Sequence, residues 1–162
     1  MNITRITEED FKSFWPVFKA TVEARETYAF DPDIRYEDAY HLWCLSPTAS
    51  FIARENGGIV GSYYIKPNAA GPGSHICNCG YIVSPEARGR GIARKLCVHS
   101  QEAALKLGFS AMQFNAVVST NKAAIHLWKS LGFSTIGCIP EGYQHAEKGY
   151  VDAFIMYKKL GT

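Results

Sequence analysis

Two hydrophobic periods alternate along the chain. After a short β-rich start over Met1–Ile6, residues Phe11, Phe14, Trp15 and Phe18 recur at three- and four-residue intervals, the spacing of one helix face. Thr7 stands before them as an N-cap with Asp10 three residues on, so the hydroxyl and the carboxylate can each satisfy a backbone N–H. This helix is expected to fade near Arg25. Tyr28–Asp33 reads as a loop marked by Pro32, and Tyr36–Cys44 as a second short helix. The period then falls to two. Phe51–Arg54 and Ile59–Ile65 flank Asn56-Gly57-Gly58, residues that tolerate the positive φ a tight hairpin needs. Pro67–Ser74 is a loop rich in Gly and Pro, and His75–Val83 is strand-like.

Helical spacing returns at Ile92, Leu96, Ser100, Ala103 and Leu107 and stops at Gly108. Met112–Val118 reads as a strand. Asn121 opens a helix with an apolar stripe of Ala124, Leu127, Trp128 and Leu131, ended by Gly132. Ser134–Pro140 and Tyr150–Tyr157 are the closing strands, with Glu141–Lys148 assigned to neither. The order β-α-α-β-β-β-α-β-α-β-β has too few and too clustered helices for a doubly wound parallel sheet. It predicts an α+β fold, a mixed sheet with helices on both faces.

Composition narrows the function classes. At roughly 150 residues per domain, the 162 residues make one domain, taken as 1–162. A hydrophobic fraction of 47% is too high for disorder. Lys and Arg (17) nearly balance Asp and Glu (15), so no basic face points to nucleic acid. No apolar run is long enough for a membrane span. Early charges from Arg5 to Lys12 break any signal-peptide core. The five cysteines are an odd set, expected to be free thiols in a reducing cytoplasm. A cytoplasmic protein with neither nucleic acid nor membrane as partner is therefore expected.

The stretch from Val83 to Arg94 carries the chemistry. It joins an apolar strand to an amphipathic helix through Arg88-Gly89-Arg90-Gly91-Ile92-Ala93-Arg94. The glycines let a backbone approach a ligand. The first helical turn offers unpaired N–H groups and the positive end of the macrodipole, which suits phosphate. Arg88, Arg90 and Arg94 can add side-chain donors. The text is neither G-x-G-x-x-G nor G-x-x-x-x-G-K-[ST], so neither dinucleotide nor NTP binding follows.

These residues resemble the R/Q-x-x-G-x-G/A signature of the GNAT N-acetyltransferases. Asn121-x-x-Ala124-x-x-Leu127-Trp128-x-x-x-Gly132-Phe133 resembles that family's second signature at the expected separation. The resemblance implies the GNAT fold, a mostly antiparallel sheet of six to seven strands splayed at the acetyl-CoA site. It implies acetyl-CoA as donor, with the pantetheine arm on the main chain of Tyr81, Ile82 and Val83. The pyrophosphate would sit on amides from Gly89 to Arg94, including Ile92 and Ala93. Asn121 would lie beside the arm, and a main-chain N–H at Ile82 or Val83 would hold the oxyanion. The family often forms dimers, so a homodimer is open.

Two departures stand out. Trp128 occupies the place where the family often has a Tyr acid, and an indole N–H does not release its proton at ordinary pH. It reads as a core or cofactor-packing side chain. Ala116 occupies one common place of the Glu base. The segments Asn78-Cys79-Gly80-Tyr81 and Phe114-Asn115-Ala116-Val117-Val118-Ser119-Thr120-Asn121 resemble the subgroup of fungal acetyltransferases of proline analogues such as azetidine-2-carboxylate. That resemblance suggests Asn78 and Asn115 as substrate groups and Asn121 at the reaction centre. The plainer alternative is that the asparagines bond only backbone where strands splay.

Tyr28, Phe30, Tyr36, Tyr40 and Trp43 would supply either an aromatic acceptor wall or helix packing. An acyl-cysteine route through Cys77 or Cys79 is a rival, with no cation in view to stabilise a thiolate. His75, Cys77, Cys79, Cys97 and His99 lack zinc-site spacing, and no metal is expected. The leading expectation is direct acetyl transfer to a small amine. Acetylation of a protein or peptide and a non-catalytic CoA-binding module are the alternatives.

Overall fold

A computed structural model describes residues 1–161. The chain runs β1 (Asn2–Arg5), α1 (Glu8–Glu23), α2 (Tyr36–Tyr40), β2 (Ala49–Glu55), β3 (Gly58–Pro67), β4 (Ile76–Val83), α3 (Ile92–Lys106), β5 (Ala111–Val118), α4 (Lys122–Ser130), β6 (Ser134–His145) and β7 (Gly149–Lys159). The strands form one seven-stranded sheet in the order β1-β2-β3-β4-β5-β7-β6. Every neighbouring pair is antiparallel except β4–β5. This is the α+β architecture that the alternating periods predict.

Local chemistry sets the element ends. The Thr7 hydroxyl accepts from the Asp10 N–H at 3.2 Å, and the Asp10 carboxylate accepts from the Thr7 N–H at 2.8 Å. Both halves of the capping box are therefore present. Asn56 (φ 52) and Gly57 (φ 81) supply the left-handed pair that closes the β2–β3 hairpin. Two expected boundaries differ. Tyr36–Cys44 is not one α-helix, because α2 ends at Tyr40 and a π-helical turn covers His41–Leu45. The strand expected to end at Pro140 runs on to His145, bent where its pairing with β7 slips between Ile139 and Tyr143. A bulge of this kind hides the period-two signal, which is why Glu141–Lys148 read as neither strand.

Helices cover both faces of the sheet. Under α1 and α2 lie Phe11, Phe14, Phe18, Val22, Trp43, Ile52, Tyr64 and Ile82. Under α3 and α4 lie Cys77, Leu96, Met112, Phe114, Trp128, Phe133 and Met156. Strand β4 feeds both cores. Cys77, Cys79, Tyr81 and Val83 pack on the second, and Ile82 on the first, the alternation that a pleated strand imposes.

The sheet parts in its middle. β4 and β5 pair only over Ile76–Asn78 with Ala111–Gln113. At the vertex the Asn78 Nδ2 donates to the Gln113 carbonyl at 3.0 Å, a side-chain bond where the next ladder bond would fall. β5 stays with β7, but its register shifts between Phe114 and Val117. Beyond the vertex Cys79–Val83 and Phe114–Val118 diverge. The parted strands open a cleft.

Candidate active site

The cleft has a volume of ≈ 910 Å³ and is lined from both strands, the α1–α2 loop, the β4–α3 loop and α4. Its first asset is backbone. The Ser84 N–H donates to the Val60 carbonyl at 3.0 Å, and the Asn68 N–H to the Ile76 carbonyl at 2.8 Å. Antiparallel hydrogen-bonded pairs alternate, so Ile82, Gly80 and Asn78 spend their main-chain groups on Ser62, Tyr64 and Lys66 of β3. The main-chain groups of Cys79, Tyr81 and Val83 therefore face the open edge. Of the expected Tyr81, Ile82 and Val83, only Tyr81 and Val83 can offer an amide there; Ile82 also lines the cleft, but its main chain is paired with Ser62 and its side chain, 2% exposed, packs in the first core. The Tyr81 carbonyl already accepts from the Tyr28 hydroxyl at 2.7 Å. Its N–H remains free.

The second asset is the loop into α3. Gly89 and Gly91 both have φ +73, and a Cβ built on either meets nothing within 4 Å. Gly91 is the N-cap of α3, so the first-turn N–H groups that follow have no intrahelical acceptor. With the helix dipole they make an anion site at the mouth of the cleft. Arg88, Gly89, Gly91, Ile92, Ala93 and Arg94 line the cleft. Arg94 is steadied by the Ser130 hydroxyl at 2.5 Å. Arg90 is a correction: its guanidinium pairs with Glu55 at the β2–β3 hairpin, and it does not line the cleft.

The third asset is the wall on the α1 side. Tyr28, Phe30 and Tyr64 line the cleft, with Tyr28 and Phe30 stacked at 5.1 Å. Trp43 is corrected from wall to core. It is fully buried behind Tyr28 and Tyr64, its indole N–H donating to the Ser62 hydroxyl at 2.9 Å. Tyr36 and Tyr40 pack on Phe11 and do not line the cleft. The wall is tied from afar. The Tyr143 hydroxyl donates to the Tyr28 carbonyl at 3.0 Å, and the Ala146 N–H to the Arg25 carbonyl at 3.1 Å. Burial raises the Tyr28 hydroxyl well above its ordinary range, so it stays a proton donor to Tyr81.

The three asparagines all line the cleft but do different things. Asn78 is buried, its Oδ1 accepting from the Tyr64 hydroxyl at 3.0 Å. Asn115, suggested as a substrate group, is exposed on the bent part of β5 and accepts from the Gln113 side-chain amide at 3.1 Å. Asn121 caps α4, its Oδ1 accepting from the Ala124 N–H at 3.2 Å. Trp128 both belongs to the core and lines the cleft, its ring 5.2 Å from that of Tyr81.

Sequence reasoning missed four residues of the site. Lys66 and Glu26 are charged residues of the lining, and Glu26 is the sole carboxylate there among the described residues. Gly80 and Tyr64 are the others. A Cβ on Gly80 would lie 2.6 Å from the Tyr64 ring and 3.0 Å from the Tyr28 hydroxyl. The only linear trace of this was a glycine inside a strand pattern, which signals close approach. Cys79 lines the cleft too, but burial pushes its thiol well above its ordinary range, away from the thiolate an acyl-cysteine step needs. His75 is exposed and bonded to the Pro72 carbonyl, while Cys77 and Cys79 are buried.

Residues 8–133 match the family described as the acetyltransferase (GNAT) family. The N-acetyltransferase aca1 of Schizosaccharomyces pombe is 44% identical over 98 residues, covering 60% of this chain and 47% of that protein. The chain thus spans about half the length of that curated relative. The solved GCN5-related N-acetyltransferase from Kribbella flavida is 39% identical, with a TM-score of 0.92 over 98% of this chain and 97% of that one. The yncA protein of Salmonella typhimurium, solved with its cofactor acetyl-CoA, shares the fold at 22% identity and a TM-score of 0.86, over 100% and 95% of the two chains.

Proposed function

Because the chain belongs to the acetyltransferase (GNAT) family, we propose that it moves the acetyl group of acetyl-CoA to the amine of a small amino- or imino-acid-like molecule. The observation that carries this reading is the free edge of β4 running out of an anion-binding helix N-terminus. The pyrophosphate would sit on the amides from Gly89 to Arg94, with Arg88 and Arg94 beside it. The arm would run back along β4, meeting the Val83 amide first and the Tyr81 amide next. Val83 then serves the arm, and the acetyl end lies toward Tyr81. That ordering moves the oxyanion donor from Val83 to Tyr81.

Both substrates are bound when the bond forms. The amine nitrogen attacks the acetyl carbonyl carbon, and the oxygen takes up negative charge against the amide. The C–S bond then breaks, and CoA leaves as a thiolate that takes up, by relay, the proton that the amine gives away. The amine's surplus proton passes through water, with Glu26 the carboxylate within the cleft that can receive it. Asn121 at the start of α4 positions the arm, and Trp128 packs against it.

A small acceptor is favoured over a peptide by the Tyr143–Tyr28 and Ala146–Arg25 bonds, which clasp the β6–β7 end onto the acceptor wall. Thiol release from acetyl-CoA should be followed with imino acids, amino acids, polyamines and a peptide N-terminus. Release with one small amine, and none with the peptide, is the expected result. Tight CoA binding with no release from any amine would make the chain a CoA-binding module instead. As with family and fold, no helix among the described residues is long and apolar enough to cross a membrane.

A further inference from the structure

The charged groups of the cleft are unevenly spread. Arg88 and Arg94 stand at the α3 end with the phosphate site. Lys66 stands alone at the other end, opposite Asn78 in the β3–β4 register and thus at the vertex of the splay. Its ammonium lies over the Tyr64 ring, 5.3 Å from the centroid. Among the described residues it belongs to no ion pair. It is half-buried and lines the cleft. Its charge therefore faces the cleft without a neutralising carboxylate, and an anionic group on a ligand could supply one.

A second donor points to the same place. Asn78 spends its Oδ1 on Tyr64 and one Nδ2 proton on the Gln113 carbonyl. One N–H of that amide remains. The Tyr64 ring that carries Lys66 is the same ring that approaches the Cα of Gly80, one residue from the free Tyr81 amide. Lys66 and Asn78 are register partners on β3 and β4, so an ammonium-bearing and an amide-bearing side chain stand at the same vertex of the cleft.

We propose that Lys66, with the free N–H of Asn78, binds the carboxylate of the acceptor, so that the enzyme acts on α-amino or imino acids and discriminates against amines without a carboxylate. This rests on the acetyltransferase reading and assigns its specificity to a residue outside both family signatures. Glu26 on the α1–α2 loop faces the same cleft with the opposite charge, which suits a zwitterion.

The test is kcat/KM for azetidine-2-carboxylate, L-proline and L-alanine against their carboxamides and putrescine. Wild type, Lys66→Met and Lys66→Arg are compared, with acetyl-CoA KM and a thermal melt for each. The wild type should prefer the acids over the amides by roughly 10- to 100-fold, the range for a hydrogen bond to a charged group. Lys66→Met should erase that preference, chiefly by raising the KM of the acids far more than that of the amides or of acetyl-CoA. Lys66→Arg should restore part of it. Equal turnover of acids and amides by the wild type would overturn the inference and leave the acetyltransferase reading intact. So would a Lys66→Met effect confined to acetyl-CoA KM, which would make Lys66 a cofactor contact. No acetylation of any amine would remove the acetyltransferase reading itself, and the inference with it.

Discussion

The two ends of the cleft are built on opposite plans. The proposed phosphate end is one continuous segment, Arg88 to Arg94, in which backbone would do nearly all of the work. The proposed acceptor end is gathered from Tyr28 and Phe30, Tyr64 and Lys66, Asn78 and Gly80, with a clasp from Tyr143. One end is a local property of a loop and a helix, and the other is a property of the folded sheet. A segment that grips a shared cofactor can stay the same while the gathered side chains change the acceptor.

The most damaging way to break this comparison is at the acceptor end, where strands approach closely. Gly80→Val puts a branched side chain where the Tyr64 ring stands 2.6 Å from even a Cβ. Overpacking of that kind costs about 1–3 kcal/mol. Displacing Tyr64 and Tyr28 from the acetyl edge should lower kcat/KM for every amine about 100-fold. Steady-state kinetics and a thermal melt would read both.

The contrast also explains what was legible before folding. The β2–β3 hairpin, the capping box at Thr7 and Asp10, and the Gly89–Gly91 loop rest on neighbours in sequence, and each reads directly from residue types. Ile82 was misplaced because which residues turn their amides to the open edge depends on the register with β3. Arg90 was misplaced because its partner, Glu55, lies in a different hairpin. Trp43 stood open between wall and helix packing because an aromatic cluster looks alike whether it lines a cavity or fills a core. Lys66 was invisible because a lysine in a strand is ordinary until its register partner is known.

At the phosphate end, Gly91→Val forces a β-branched residue into φ +73 and fills the open cradle. The strain is roughly 1–2 kcal/mol. Acetyl-CoA KM should rise about 10-fold, with acceptor KM unchanged. If acceptor KM moved instead, the two ends would not be separable as described.

Asn121 sharpens the comparison at the midpoint. Asn121→Ala removes the α4 cap and should cost about 1 kcal/mol of stability, read by denaturant unfolding. Asn121→Asp keeps the cap. If Asn121 also positions the arm through its amide, kcat falls in both variants although stability falls only in the first.

Smaller effects separate the arginines. Arg94→Ala should raise acetyl-CoA KM severalfold, whereas Arg90→Ala, whose side chain serves an exposed pair with Glu55, should stay within about twofold of wild type. The smallest effect belongs to Cys79. Its raised thiol should make iodoacetamide at neutral pH slow to inhibit, and Cys79→Ala should retain turnover. Loss of all activity in that variant, with the fold intact, would reinstate an acyl-cysteine route.

Which amides of β4 are free decides how the cofactor arm can bind, and hydrogen exchange reads them one by one. The backbone amides of Tyr81, Ile82 and Val83 should be followed with and without acetyl-CoA. The prediction is strong new protection at Tyr81 and Val83 and little change at Ile82, already paired with Ser62. Protection confined to Gly89–Arg94, with Tyr81 and Val83 exchanging as before, would contradict it, since the cofactor would then bind by its phosphates alone and bring no acetyl group to the edge.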